Sequence, residues 1–394
     1  MRRWLPTAGW LTAVLLAAAN LRPAIASVPP VVDPLRATFG LSASAVGALT
    51  SVPVICMGVF APVAAWLSTR WGTGRAMALA LALLTVATAV RPLAGVAVLY
   101  AATVLAGVGI AIGGALMPAL VRARFPDRVG PVTGLYTTAL IVGALVAAGA
   151  TEPLRAAADG SWRTALALWA VPAGAALLIW LAVRPAGGPA SPAVVAVDAG
   201  GHTGWSPWRD RRAWVATAYM GGQSLLYYAL LAWLAASYTD RGWSPAQAGG
   251  LLAVFSATQV VSALLAPTLS RRDPRPAIAG ATALTLLGLV LIVAVPLSVP
   301  ALFASLLGLG AGANFALALT VVGQIAPTPA STPRASGMAF FASYLLAAAG
   351  PVAVGLLRDS TGTFTVPYLA LVAVGVLTLA AGLSAAAPTA NRVG

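Results

Sequence analysis

Asn20-Leu21-Arg22-Pro23 stands near the middle of an apolar run, residues 10 to 32. A guanidinium is charged at every biological pH, and its planar fork of N–H donors suits carboxylates and other oxyanions. At the centre of a bilayer such a charge costs somewhere between ~3 and ~17 kcal/mol, depending on the reference used. Arg22 is therefore expected to face a water-filled cavity or a partner rather than lipid. Snorkelling to an interface and pairing with an acid on a neighbouring helix are the purely structural alternatives. The mid-span position argues against the first, and the placement of the acids argues against the second. Pro23 removes a backbone donor and frees a carbonyl near residue 19, which predicts a bend.

The acids number nine: Asp33, Asp127, Glu152, Asp159, Asp198, Asp210, Asp240, Asp273 and Asp359. All fall at the ends of apolar spans or between them, with Glu152 the nearest to a span interior. No mid-span carboxylate is available as a proton carrier of the kind found in pumps and transporters. The single histidine, His202, lies in a Gly/Pro-rich stretch, and the single cysteine, Cys56, lies in an apolar span. One histidine, one cysteine and scattered acids do not assemble a catalytic constellation. There is no G-x-x-x-x-G-K-[ST] phosphate loop, so ATP-driven transport is unsupported and no cofactor is expected.

The elements that must position Arg22 follow from composition. The chain has 394 residues, 60% hydrophobic and 8% charged, with a mean hydropathy of +0.90. That balance belongs to a polytopic helical membrane protein, since a hydrocarbon core of ~30 Å takes ~20 helical residues. Twelve spans are expected, at 8–31, 44–67, 76–94, 97–120, 132–153, 164–183, 213–237, 247–269, 277–296, 300–325, 335–357 and 364–386. No cleavable signal peptide is evident, and the first span is kept as a mature helix. The one long break, 184–212, is rich in Gly, Pro and Ala and reads as a linker between a half at 1–183 and a half at 213–394.

The net charge of +14 comes from 23 arginines and no lysine. These arginines do not form one basic face, so nucleic acid is not expected as a partner. They fall at span ends, as topology signals do. With the N-terminus inside, sixteen lie on the cytoplasmic side and six (Arg36, Arg91, Arg155, Arg163, Arg241 and Arg358) on the other, Arg22 being the remaining one. The bias predicts a multi-pass protein of the inner membrane with both termini and the linker in the cytoplasm. Its expected partners are the lipid bilayer and a small-molecule substrate, and it is expected to be a monomer.

The two halves repeat. Ser42 and its surroundings match Ser244 at an offset of 202, Gly107-x-Gly109 matches Gly308-x-Gly310 at 201, Ala61-Pro62 matches Ala266-Pro267 at 205, and Gly134 matches Gly337 at 203. Four matches in order at a nearly constant offset imply two parallel six-helix halves related by an axis along the membrane normal.

Twelve spans, a long middle loop and this repeat resemble the major facilitator superfamily. The loop Ala65-Trp66-Leu67-Ser68-Thr69-Arg70-Trp71-Gly72-Thr73-Gly74-Arg75 is similar to that superfamily's G-x-L-a-D-r-x-G-r-[rk] gating loop: Arg70 and Gly72 agree, and Thr69 stands where an aspartate is usual. The same loop also reads as a short basic turn that only sets topology. A narrower resemblance, to the cyanate permease and 2-nitroimidazole transporter family, rests on Asn20 to Ile25, Phe125-Pro126-Asp127-Arg128, Thr133 to Thr138, Gln223 to Leu230 and Asp240-Arg241-Gly242.

That resemblance implies an all-α membrane protein of the major facilitator fold and a secondary or facilitative transporter of small anionic or electronegative molecules. It also implies a cavity lined by spans 1, 4, 7 and 10. At the repeat offset Arg22 maps to Ser224, beside Gln223. Gln223 and Tyr227, four apart, share a helix face. Arg22, Asn20, Gln223, Tyr227 and Asn314 are therefore the expected substrate-binding residues, with interhelical hydrogen bonding as the plainer role for Gln223 and Asn314. Gly107, Gly109, Gly113 and Gly114 read as helix-packing positions, and Phe340, Phe341 and Tyr344 as core. An efflux pump of the same fold and a non-transporting membrane sensor are the competing functions; import and export stay equally open.

Overall fold

A proline inside a helix deletes one hydrogen bond and crowds the preceding turn, and the first span breaks where its proline falls. In a computed structural model, which describes residues 4–183, 205–269, 273–328 and 331–386, α1 (Trp4–Asn20) ends three residues before Pro23. The chain resumes as the single turn α2 (Pro23–Ala26), passes through a 3-10 turn at Pro29–Val31, and continues as α3 (Val32–Phe39). The second span is α4 (Ala43–Val59) and α5 (Ala61–Trp71), bent by 52° across Phe60. Then come α6 (Thr73–Val90), α7 (Val96–Arg124), α8 (Val129–Ala157), and α9 (Trp162–Leu168) with α10 (Ala170–Val183) as one crossing. The second half holds α11 (Arg211–Thr239), α12 (Pro245–Leu269), α13 (Arg275–Ala294), α14 (Pro300–Ile325), α15 (Thr332–Thr361) and α16 (Thr365–Ala385).

Counting each broken helix as one crossing gives the twelve expected spans. Ten stretches and the bent α4–α5 pair are long and apolar enough to cross a bilayer. The remaining crossing, α11, is more polar, and it is the one enclosed by its neighbours: every residue from Tyr228 to Tyr238 is buried. Of the linker expected at 184–212, residues 184–204, His202 among them, lie outside the described residues. From Trp205 onward the chain is ordered by its own caps: the Asp210 carboxylate accepts from the Trp205 indole N–H (2.8 Å) and from the Arg212 amide (2.8 Å) at the start of α11.

The matched glycines make matched contacts. A Cβ added at Gly107 of α7 would lie 2.8 Å from Pro53 and Cys56 of α4, and one added at Gly308 of α14 would collide with Phe255 and Thr258 of α12. Two residues on, Gly109 faces Ala80 and Leu84 of α6, while Gly310 faces Ala281 and Thr285 of α13. Span 4 therefore meets spans 2 and 3 as span 10 meets spans 8 and 9. In lipid, where apolar surface gives no preference for another helix, such close backbone approach supplies the packing. Gly113 is also a packing position, against Leu21, whereas Gly114 meets nothing within 4 Å.

Between the halves, α4 packs along α15 and α8 along α12. The contact is tightest at the end away from the chain termini. There Gly47 lies against the Pro351 carbonyl, a Cβ at Gly355 would sit 2.6 Å from Ser44 Cα, and the Ser51 hydroxyl donates to the Ala348 carbonyl at 2.5 Å. The Asp359 carboxylate of α15 accepts from the Ala43 and Ser44 amides (2.8 and 2.9 Å) at the start of α4, a helix terminus that carries unpaired donors and partial positive charge. Gly337 is eighteen residues from Gly355, five whole turns, so the two share a face of α15; yet Gly337, like Gly134 of α8, meets nothing within 4 Å. The halves close on each other at one end and part at the other.

One-ended closure sets a contrast of sign. Gly355→Ala is expected to destabilise by about 1–3 kcal/mol through overpacking. Gly337→Ala is expected to be neutral or to stabilise by up to ~1 kcal/mol from helix propensity. Thermal unfolding of the two variants in detergent measures both, and equal losses would contradict the asymmetry.

Candidate functional site

The break in span 1 is packed from behind. Pro23 leaves the Ala19 carbonyl without its helical donor, and Gly143 of α8 lies directly against that carbonyl. A Cβ at Gly113 of α7 would stand 2.7 Å from Leu21 Cδ2. With residues 19 and 21 held against the first half, Arg22 turns toward the second. Its Nη1 donates to the Tyr228 hydroxyl of α11 at 2.8 Å, and its guanidinium carbon lies 5.9 Å from the Tyr227 ring centroid and 5.8 Å from that of Tyr228. Both distances are within cation–π range.

The second half supplies an aromatic wall. Tyr227 meets Tyr228 edge-on at 4.9 Å and stacks on Phe255 of α12 at 5.9 Å. The Tyr228 hydroxyl also reaches Met57 Sδ of α4 at 3.6 Å. Tyr344 of α15 lies nearby, against Gly58 of α4, the residue after Met57, and stacks on Phe340 at 5.8 Å. The α11 tyrosines thus meet the guanidinium directly, and α4 and α12 pack against those tyrosines. Arg22, Met57, Tyr227 and Tyr344 are only half-buried although they lie between the halves, so they border an opening rather than a sealed core.

Among the described residues no carboxylate pairs with Arg22. Its positive charge is answered only by neutral phenols and ring faces. Such a group can bind an anion or a nitro or carboxylate oxygen through charge-assisted hydrogen bonds, while Tyr227, Tyr228 and Tyr344 offer flat apolar surface to a planar body.

Of the residues expected at the site, the structure brings Arg22 and Tyr227 together. Gln223 lies one turn before Tyr227, is 3% exposed, and donates from Nε2 to the Ser224 hydroxyl at 2.7 Å, leaving its Oε1 without a partner. Asn20 folds back on its own helix, donating to the Leu16 carbonyl at 2.9 Å. Asn314 is engaged inside the second half: its Oδ1 accepts from Tyr219 (2.9 Å) and Thr282 (3.0 Å), and its Nδ2 donates to the Gly310 carbonyl (2.9 Å). Arg70 lies 5.5 Å from the Trp66 ring, Thr69 bonds the Trp66 carbonyl, and Gly72, at φ 84°, supplies the left-handed backbone between α5 and α6.

Sequence reasoning missed Tyr228, Tyr344 and Met57. Tyr344 had been read as core. The repeat offset came within one turn, since Ser224, the counterpart of Arg22, precedes Tyr228 by four residues.

A model of the Major Facilitator Superfamily matches residues 11–351. The chain is 34% identical over 384 residues to the Bacillus subtilis transporter YycB (95% of this chain, 93% of that one). It is 31% identical over 378 residues to the Escherichia coli 2-nitroimidazole transporter (95% and 94%) and 32% identical over 374 residues to the Escherichia coli cyanate transport protein CynX (93% and 95%). In fold it resembles a bacterial homologue of the human lysosomal transporter Spinster, with a TM-score of 0.79 at 16% identity over 97% of both chains.

The geometry separates Asn314 from Arg22 by experiment. Asn314→Ala strands the Tyr219 and Thr282 hydroxyls and is expected to cost about 1–3 kcal/mol of stability. Solute affinity, measured on the folded fraction, is expected to stay at the wild-type value; a selective loss of affinity without a lower melting temperature would assign Asn314 to the solute instead.

Proposed function

The chain belongs to the Major Facilitator Superfamily and is a membrane transporter, and on that premise we propose that it is a secondary transporter of a small anionic or electronegative solute, with Arg22 as the solute's counter-charge. The observation that carries this reading is a half-buried guanidinium between the two halves, bonded to Tyr228 at 2.8 Å and paired with no carboxylate among the described residues. Two relatives are named for 2-nitroimidazole and for cyanate. A nitro group and a small anion have in common electron-rich atoms that accept from a guanidinium fork.

Transport proceeds by alternating access, with the halves 1–183 and 213–394 rocking about Arg22. Because Arg22 belongs to the first half and Tyr227, Tyr228 and Tyr344 to the second, a solute held among them is held by both, and the rocking changes which face it sees. With the termini in the inner-membrane cytoplasmic face, as the arginine bias supports, the closed end is extracytoplasmic and the open end cytoplasmic. The Asp359 contact with the start of α4 and the Gly47–Pro351 approach then part in the opposite state. With no carboxylate beside Arg22, exchange, facilitated diffusion or co-movement of a proton with a weakly acidic solute fits better than a buried proton-carrying acid. The transporter works as a monomer, since a complete site is built within one chain.

Two measurements test this. In proteoliposomes, with solute flux and binding read for cyanate, 2-nitroimidazole and small carboxylates, Arg22→Ala is expected to weaken affinity by roughly 10- to 100-fold, the equivalent of one hydrogen bond to a charged group. Arg22→Lys, which keeps the charge and loses the fork, is expected to fall between Arg22→Ala and wild type. Equal affinity in folded Arg22→Ala and wild-type protein would end the assignment. For sidedness, a reporter active only outside the cytoplasm, fused within 184–212, is expected to stay silent; strong activity would invert the orientation.

A further inference from the structure

Arg91 counts in sequence as a non-cytoplasmic topology arginine near the end of span 3, and it is 1% exposed. It caps α6 and points into the bundle, where no carboxylate among the described residues pairs with it. Its Nη1 donates to the Ala24 carbonyl at 2.6 Å and its Nη2 to the Ser27 hydroxyl at 3.3 Å, while its Nε has no partner. Both acceptors belong to the broken segment immediately after Arg22.

The backbone explains why that segment needs a donor from outside. In a continuing helix the Ala24 carbonyl would accept from the Val28 amide, but the Val28 amide goes to Ile25 at 3.3 Å. Pro29 and Pro30 follow and have no N–H to offer. An orphaned carbonyl in a hydrocarbon layer is costly, and the carbonyl end of a helical turn carries partial negative charge, which a cation relieves. Arg91 supplies both the donor and the charge. Gly143 and Gly113 fix residues 19 and 21 on the near side of the break, and Arg91 fixes residues 24 and 27 on the far side. Residue 22 lies between the two anchors, so its direction is set by both.

We propose that Arg91 is a positioning residue that clamps the break in span 1 and thereby aims Arg22 at Tyr228 and the opening between the halves. The proposal rests on the assignment of Arg22 to the solute for its functional meaning, but the clamp itself is measured without any solute.

The test uses the full-length protein in two ways. First, hydrogen–deuterium exchange compares wild type with Arg91→Met and Arg91→Lys. Exchange of the amides of residues 21–28 is expected to rise about tenfold in Arg91→Met, the size of one lost hydrogen bond from a charged donor. Arg91→Lys, which keeps the charge and one donor, is expected to fall between. Exchange in α14 is expected to remain unchanged in both. Second, a cysteine replaces Arg22 in a Cys56→Ala background, and its rate of alkylation by N-ethylmaleimide is measured with and without Arg91→Met. A several-fold change at position 22, with no change at a control Gly323→Cys on α14, is expected. An unchanged labelling rate at position 22 overturns the proposal whatever the exchange result, and so does a rise in exchange spread equally over α14, which would make Arg91 a support of the whole fold. If instead Arg22→Ala binds solute as wild type does while the clamp is found, the site assignment fails and the clamp stands.

Discussion

A helix that stops halfway across a hydrocarbon layer must find partners for the backbone groups it releases, because no water is there to take them. Span 1 stops at Asn20, and the surrounding structure answers that one interruption. Gly143 lets α8 come up against the Ala19 carbonyl, Gly113 makes room for Leu21, and Arg91 serves Ala24 and Ser27. The break is what lets Arg22 leave the helix axis and reach across to Tyr228. A continuous helix with an arginine at the same place would carry its side chain back along its own turn. The polar centre of the protein is thus a by-product of a backbone defect that three other helices have been built to accommodate.

How much of this was legible in the sequence depended on what kind of signal each part leaves. A charge in an apolar run and a proline beside it are local, so Arg22 and its bend were readable. The glycine repeat was readable because close packing demands glycine at fixed heights, and the contacts of Gly107 and Gly308 are the same contact made twice. What could not be read is rotation about each helix axis. In a bundle whose helices are apolar on every side, no polar face marks which way a residue points. Tyr227 and Tyr228 are neighbours on α11 and both rings lie near Arg22, yet one stacks on Phe255 of α12 and the other accepts the Arg22 hydrogen bond. Asn314 shows the same limit: of the two roles open to it in sequence, its amide takes the interhelical one, toward Tyr219 and Thr282. Arg91 looked like a topology signal because its depth, one residue past α6, is that of a loop; only the position of the neighbouring break shows why it points inward.

The two ends of the interface between the halves are built from different materials. At the closed end the approach is nearly backbone to backbone, through Gly47, Gly355 and Ser51, with Asp359 seated on the first amides of α4. At the α5–α6 turn, Thr69 donates to the Trp66 carbonyl within its own turn. An acid on a helix terminus is therefore found where the chain is closed and is missing from the loop where the resemblance to other facilitators would have put it. Small residues lose little when they separate and regain the fit when they return, which suits a surface that must open and close repeatedly.

Among the described residues no carboxylate pairs with Arg22, and if Arg22 holds the solute as proposed, an electrical consequence follows. The empty site carries one positive charge, and a monovalent anion seated there cancels it. Movement of the loaded site through the membrane field then carries no net charge, and movement of the empty site carries one. Each elementary charge that crosses the whole field is worth about 2.3 kcal/mol per 100 mV. In that scheme a voltage negative inside acts on the empty carrier alone, favouring its cytoplasm-facing state and making its return outward the voltage-sensitive step. For a neutral solute the burden reverses in kind: loaded and empty steps feel the field equally, and the membrane potential drops out of the cycle.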